Sequence, residues 1–188
     1  MEFVDEALFH YTRSCHGPWP GQSYQEYITS LLAGRPESSH SAFETILRIA
    51  LEQRIRASGA MIRGKFPVVS FTEVPPNELE KIRIWRTGVY RWTLEPYGLA
   101  IKRRTLAIRG VRRVHYGSLS AHQSLQDDEK HLFQISRTGK YDWSREKEWR
   151  IKGDLDIKEL PADDWAFVLP TQDEANTMFN SMTIPFVC

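Results

Sequence analysis

Three short stretches carry side chains able to do chemistry: His10-Tyr11-Thr12, Ser70-Phe71-Thr72-Glu73, and Trp143-Ser144-Arg145-Glu146-Lys147-Glu148-Trp149-Arg150. The third is the densest. Successive side chains of an extended chain point to opposite faces, so Glu146, Glu148 and Arg150 fall on one side and Lys147, Trp149 and Ile151 on the other. One face is then apolar and anchored. The other presents two carboxylates and a guanidinium in a row, as a site would, or as a solvated edge whose charges pair for less than about 1 kcal/mol. In the first stretch, His10 and Thr12 share a face and can hydrogen-bond a diol or a carboxamide. A half-buried histidine satisfied by backbone is the plainer reading of His10. In the second, the hydroxyls of Ser70 and Thr72 stand where a strand ends, which lets a ligand approach the backbone closely, although edge strands carry such residues too.

The elements that must position these residues are legible from punctuation and periodicity. Ala7 to Arg13 reads as a strand, followed by a loop at Gly17, Pro18 and Pro20. Tyr24, Tyr27, Ile28, Leu31 and Leu32 have helical spacing that stops at Gly34 and Pro36. Phe43, Ile46, Leu47, Ala50 and Leu51 make the clearest amphipathic helix, spanning Ala42 to Ala57. A buried strand runs from Phe66 to Glu73 and ends at Pro75-Pro76. A short helix is expected over 78–85 and a strand or extended loop over 89–94. Strands follow at 97–102 and 111–116, with a brief helix at 103–108 between them. Helical character is expected over 119–136 and a turn-fed strand at 148–152. A strand at 165–170, a helix at 171–180 capped by Thr171 with Glu174, and a final strand at 183–187 complete the chain. No βαβ rhythm is present, so the expected class is α+β, with largely antiparallel sheet and flanking helices.

Composition sets bounds. The 188 residues suit one domain, and 41% hydrophobic with 26% charged residues is ordinary for a soluble globular protein. A formal net charge of +1 supplies no global field for nucleic acid or membrane, so such binding needs a local patch. The densest is Lys102, Arg103, Arg104, Arg109, Arg112 and Arg113, to which a phosphate-bearing partner could bind. The opening residues are acidic and lack an apolar run, so no secretory signal or membrane span is expected. Cys15 and Cys188 read as free thiols of a cytoplasmic protein. No GxGxxG, Walker A, C-x-x-C, H-E-x-x-H or G-x-S-x-G motif occurs, and no metal is expected.

Taken in order, the His10-Tyr11-Thr12 start, Phe71-Thr72-Glu73, Tyr97-Gly98-Leu99-Ala100-Ile101, Val114-x-Tyr116 and Trp143-x-x-Glu146-x-Glu148-Trp149-Arg150 resemble the motifs of a bacterial family of unassigned function. The resemblance covers roughly residues 8 to 155, and the chain departs from it in a long, helical insertion at about 15–41. The same arrangement resembles, more distantly, the ADP-ribosyltransferase superfamily, including its DNA-modifying toxins. That resemblance implies a split-sheet fold and an enzyme that consumes NAD, as a toxin or anti-phage effector. His10 and Thr12 would hold the ribose, Ser70 and Thr72 would line the nicotinamide pocket, and Tyr11 or Tyr97 would flank the nicotinamide. Glu148 would be catalytic, and Glu146 would orient or deprotonate the acceptor, a nucleic acid or a protein. Independently of the resemblance, Arg112 and Arg113 of the basic stretch are candidates to contact nucleic acid or phosphate. Arg150 would meet a pyrophosphate or pair with Glu148, and a closed pair weakens the enzymatic reading. Two other readings stand beside it: a non-enzymatic nucleic-acid or nucleotide-binding module on residues 102–113, and a metal-dependent nuclease built on Glu73, Glu146 and Glu148.

Overall fold

A computed structural model describes residues 2–15, 17–19, 21–34, 40–136 and 142–183. In chain order its strands are β1 (Ala7–Tyr11), β2 (Arg54–Ile55), β3 (Val68–Thr72), β4 (Trp85–Arg86), β5 (Arg91–Trp92), β6 (Gly98–Lys102), β7 (Arg112–Arg113), β8 (His115–Gly117), β9 (Phe133–Ile135), β10 (Glu148–Lys152), β11 (Leu155–Asp156) and β12 (Trp165–Val168). The α-helices are α1 (Glu2–Glu6), α2 (Tyr24–Leu32), α3 (Ala42–Glu52), α4 (Arg103–Ile108), α5 (Leu119–Ser124) and α6 (Gln172–Thr183). The main sheet runs β12-β6-β1-β3-β10-β7, with every neighbouring pair antiparallel. The molecule is therefore α+β with a largely antiparallel open sheet and flanking helices. The short β8–β9 pair is parallel.

The sheet has a seam. β1 pairs with β6 over five positions but with β3 at one, Phe9 opposite Thr72. Gly98 permits the tight β1–β6 side, because a β-carbon there would sit 2.2 Å from the His10 carbonyl oxygen. Both faces of the sheet are covered, which is why β1, β3 and β6 are apolar runs rather than alternating strands. Leu8, Val69, Phe71, Leu99, Ile101 and Ile151 pack with α3 and α6 on one face. Phe9, Tyr11, Val74, Leu79, Ile82 and Ala100 form a smaller cluster on the other. Each large aliphatic side chain so buried contributes about 1.5–3 kcal/mol.

Caps mark the helix starts that the sequence indicated. Ser23 with Glu26, and Ser41 with Glu44, form reciprocal capping boxes, and Thr171 bonds Glu174. α3 is shorter than expected: Gln53 turns left-handed at φ 50°, and Arg54–Ile55 pair with Leu155–Asp156. The helical expectation over 119–136 is also corrected. α5 stops at Ser124, and Lys130–Leu132 is a single 3-10 turn that feeds β9. The region 89–94 reduces to one two-residue strand after a 3-10 turn. Of the last expected strand, Thr183 belongs to α6, and the rest lies outside the described residues.

The insertion closes on itself where Cys15 N–H bonds the His40 carbonyl at 2.9 Å. α2 has no buried residue, and Trp19 and Tyr27 hold the segment by packing on His40, at 4.0 and 4.9 Å between ring centres. No helix among the described residues is long and apolar enough to cross a membrane.

Candidate active site

The seam opens into a cavity of about 400 Å³, within the range of small-molecule sites. Residues of both sheet faces line it, including His10, Arg13, Ser70, Thr72, Glu146 and Glu148. Strand register explains how. Phe9, Thr72 and Glu148 lie in one row across the sheet and share a face, whereas His10 sits on the opposite face, with its ring edge-on to Phe71. Because β1 and β3 part after one pair, the His10 ring fits the gap, where Nδ1–H donates to the Ser70 carbonyl at 2.9 Å. A carbonyl can only accept, so the proton is on Nδ1 and Nε2 carries the lone pair. Burial holds the His10 pKa below its ordinary value, against the pull of the Ser70 bond, so the imidazole is neutral.

The carboxyl side is built on β10 and the turn before it. The Thr72 hydroxyl donates to the Glu146 carbonyl and accepts from Val74 N–H at 3.0 Å, tying that turn to β3. Lys147 is left-handed at φ 45°, so the strand starts at Glu148 and the expected alternation through Glu146 does not hold. Glu148 N–H donates to the Tyr116 hydroxyl oxygen at 3.0 Å. Arg150 then clamps the Glu148 carboxylate from both sides, Nε to Oε1 at 2.9 Å and Nη2 to Oε2 at 2.7 Å. Its other donors reach the His131 and Phe133 carbonyls, each at 2.9 Å, and Gln134 Oε1 at 2.8 Å. A guanidinium has five N–H donors, and all five are used here, with the side chain 1% exposed. Arg150 is thus a buried brace, and its assignment to a pyrophosphate is corrected.

The two carboxyls sit in different surroundings. Glu148, braced by Arg150, has lone pairs left to accept further hydrogen bonds. Glu146 has no hydrogen-bond partner for its carboxyl among the described residues, and burial, then the charge of Glu148, pushes its pKa up to about 7. Arg13 and Arg150 pull the other way without winning.

Several sequence-derived candidates have other work. The Thr12 hydroxyl donates to the Ala42 and Tyr97 carbonyls at 2.8 and 3.1 Å, joining β1 to α3 and to the residue before β6. The Tyr11 hydroxyl donates to the Val74 carbonyl at 3.0 Å within the smaller core, and burial raises its pKa. Tyr97 is outside the cavity, with its ring against Phe43 and its hydroxyl on Glu174 at 2.6 Å. Thr72 lines the cavity, but its hydroxyl is committed to backbone. Ser70 lines it too, and its hydroxyl has no partner among the described residues.

Arg112 and Arg113 form the two-residue edge strand β7, paired with Glu129 and with Glu73. Charged, short edge strands discourage pairing with another chain, which accounts for them without a ligand. Glu73 also accepts from Trp149 Nε1 at 3.0 Å and does not line the cavity, so the three-carboxylate set is not assembled. Among the described residues no group of three or more His, Cys, Asp or Glu is arranged to hold a metal ion. Reasoning from the sequence missed Arg13, Arg91 and Gln134, all lining the cavity, and quoted Trp143, which lines it too, without giving it a role. Arg13 directly follows the His10-Tyr11-Thr12 motif, which was the available signal. No family model, curated protein or solved structure matches the chain.

Proposed function

We propose that the cavity cleaves the N-glycosidic bond of a ribose nucleotide, with NAD as the substrate that the motif resemblance implies. What carries the reading is one pair of carboxyls in one cavity, Glu148 held against Arg150 and Glu146 held near neutrality, with a neutral His10 lining the same cavity from the other sheet face. A carboxylate fixed in an ion pair suits an electrostatic role, and a carboxyl held near neutrality suits proton transfer. As the ribose C1′–N bond breaks, its electron pair leaves with nicotinamide, and Glu148 stabilises the oxocarbenium-like ribose through the sugar hydroxyls. Water or another acceptor attacks C1′, and Glu146 takes the proton released. His10 Nε2 and the Ser70 hydroxyl are the groups left to bind the ribose or the amide.

The closed Glu148–Arg150 pair dilutes the carboxylate's charge and favours a second reading, a site that binds a nucleotide without chemistry. Incubation of the protein with NAD separates the two. Nicotinamide release is expected, alone or with DNA, RNA or protein as acceptor, and Glu148→Gln should lower it about a hundredfold, near 3 kcal/mol. Because Glu146 acts ionised, the rate should rise with pH through about 7, and Glu146→Gln should remove that limb. Binding of ADP-ribose with no release toward any acceptor would establish the second reading instead.

A further inference from the structure

Beyond the carboxyl pair, the same cavity holds cations with no salt-bridge partner among the described residues, although the Glu146 charge attracts one of them, Arg13, through space. Arg48 and Arg56 bond Glu52, Arg54 bonds Asp156, and Arg150 bonds Glu148. Arg13 and Arg91 also line the cavity, and neither has an ion pair among the described residues. They are neighbours through Ser14: Arg91 Nη1 donates to the Ser14 carbonyl at 2.8 Å, one residue from Arg13. Glu95 accepts from Ser14 N–H and Oγ–H at 2.8 and 2.7 Å rather than from either guanidinium. Arg86 comes into the same cavity with its guanidinium 5.7 Å from the Trp143 ring centre.

We infer that Arg13 and Arg91 form an anion subsite that takes the phosphate or pyrophosphate group of a nucleotide. Two guanidiniums in a half-buried pocket repel each other, and an arriving dianion turns that repulsion into attraction. Burial, then the Arg91 charge, disfavours the charged form of Arg13, and the opposing pull of Glu146 only partly offsets them. Guanidinium forks match phosphate oxygens two at a time, which favours a phosphate over a single carboxylate. The subsite rests on the glycosidic reading only for the ligand's orientation, with the ribose toward Glu148 and the phosphates toward Arg13.

Calorimetric titration of the full chain with inorganic pyrophosphate, ADP-ribose and adenosine tests it. Pyrophosphate and ADP-ribose should bind, and adenosine should bind at least about tenfold more weakly than ADP-ribose. Arg13→Gln and Arg91→Gln should each weaken ADP-ribose about tenfold or more, the scale of one charged hydrogen bond. Arg13→Lys, which keeps charge and loses the fork, should fall between, and Arg112→Gln, outside the cavity, should change nothing. Arg13→Gln with native circular dichroism and wild-type affinity would overturn the subsite, as would adenosine matching ADP-ribose. If Arg13→Gln does not fold, Arg91→Gln decides by the same criterion. Pyrophosphate binding without NAD cleavage would sink the glycosidic reading and leave the subsite standing. NAD cleavage with an unchanged KM in Arg91→Gln would do the reverse.

Discussion

Glu146 shows at the scale of one residue what burying a carboxyl costs in stability. Its folded pKa of about 7 lies above the ordinary 4.5, so between those values the folded chain binds more protons than the unfolded one. Stability therefore falls as pH rises from about 4.5 to about 7, and the ionised group costs about 3 kcal/mol above that window. Glu146→Gln should accordingly stabilise the protein against urea by up to about 3 kcal/mol at pH 8 and by almost nothing at pH 4. Equal gains at both pH values would mean the carboxyl is not held near neutrality. Arg150 illustrates the opposite economy, since a buried charge is tolerable only when every donor is satisfied. Its partners come from residues 131, 133, 134 and 148, and the three earlier ones carry no signal in the sequence.

At the scale of elements, the decisive feature is that β1 leans on β6 and barely touches β3. That asymmetry makes room for the His10 ring and for the cavity. Gly98 sits where the two closely paired strands meet, and any side chain there must push the His10 carbonyl away. Gly98→Ala should cost about 1–3 kcal/mol through overpacking, read as a lower unfolding midpoint. An unchanged midpoint would show that β1 and β6 can part freely. The β-branched and aromatic residues of β3 and the caps of α2, α3 and α6 were legible because they act on immediate neighbours. The end of α3 was not, because β11, about a hundred residues later, captures Arg54 and Ile55.

Across the whole molecule, charge is distributed so that little of it is loose. Lys102, Arg103, Arg104, Arg109, Arg112 and Arg113 look like a basic patch along the chain, yet each has an acidic partner in Asp164, Glu73, Glu159 or Glu129. A nucleic-acid surface on that stretch has correspondingly little to stand on. The double variant Arg112→Gln with Arg113→Gln should leave ADP-ribose affinity and nicotinamide release within about twofold and change stability by less than about 1 kcal/mol. A tenfold loss of either would return the basic stretch to the substrate site.

The motif resemblance singled out His10, Ser70, Glu146 and Glu148, and the linear order of residues determined the α+β class and most element positions. Those follow from short-range rules: side-chain period, caps and turns. Folding in three dimensions decided which of those groups remain available. Thr12, Thr72 and Tyr11 commit their hydroxyls to backbone carbonyls, Arg150 commits its whole fork to a brace, and Arg13 lines the cavity without a salt bridge among the described residues. A hydrogen bond is made with whatever acceptor the fold brings within about 3 Å, and that partner is set by strand register and chain crossing rather than by neighbours in sequence.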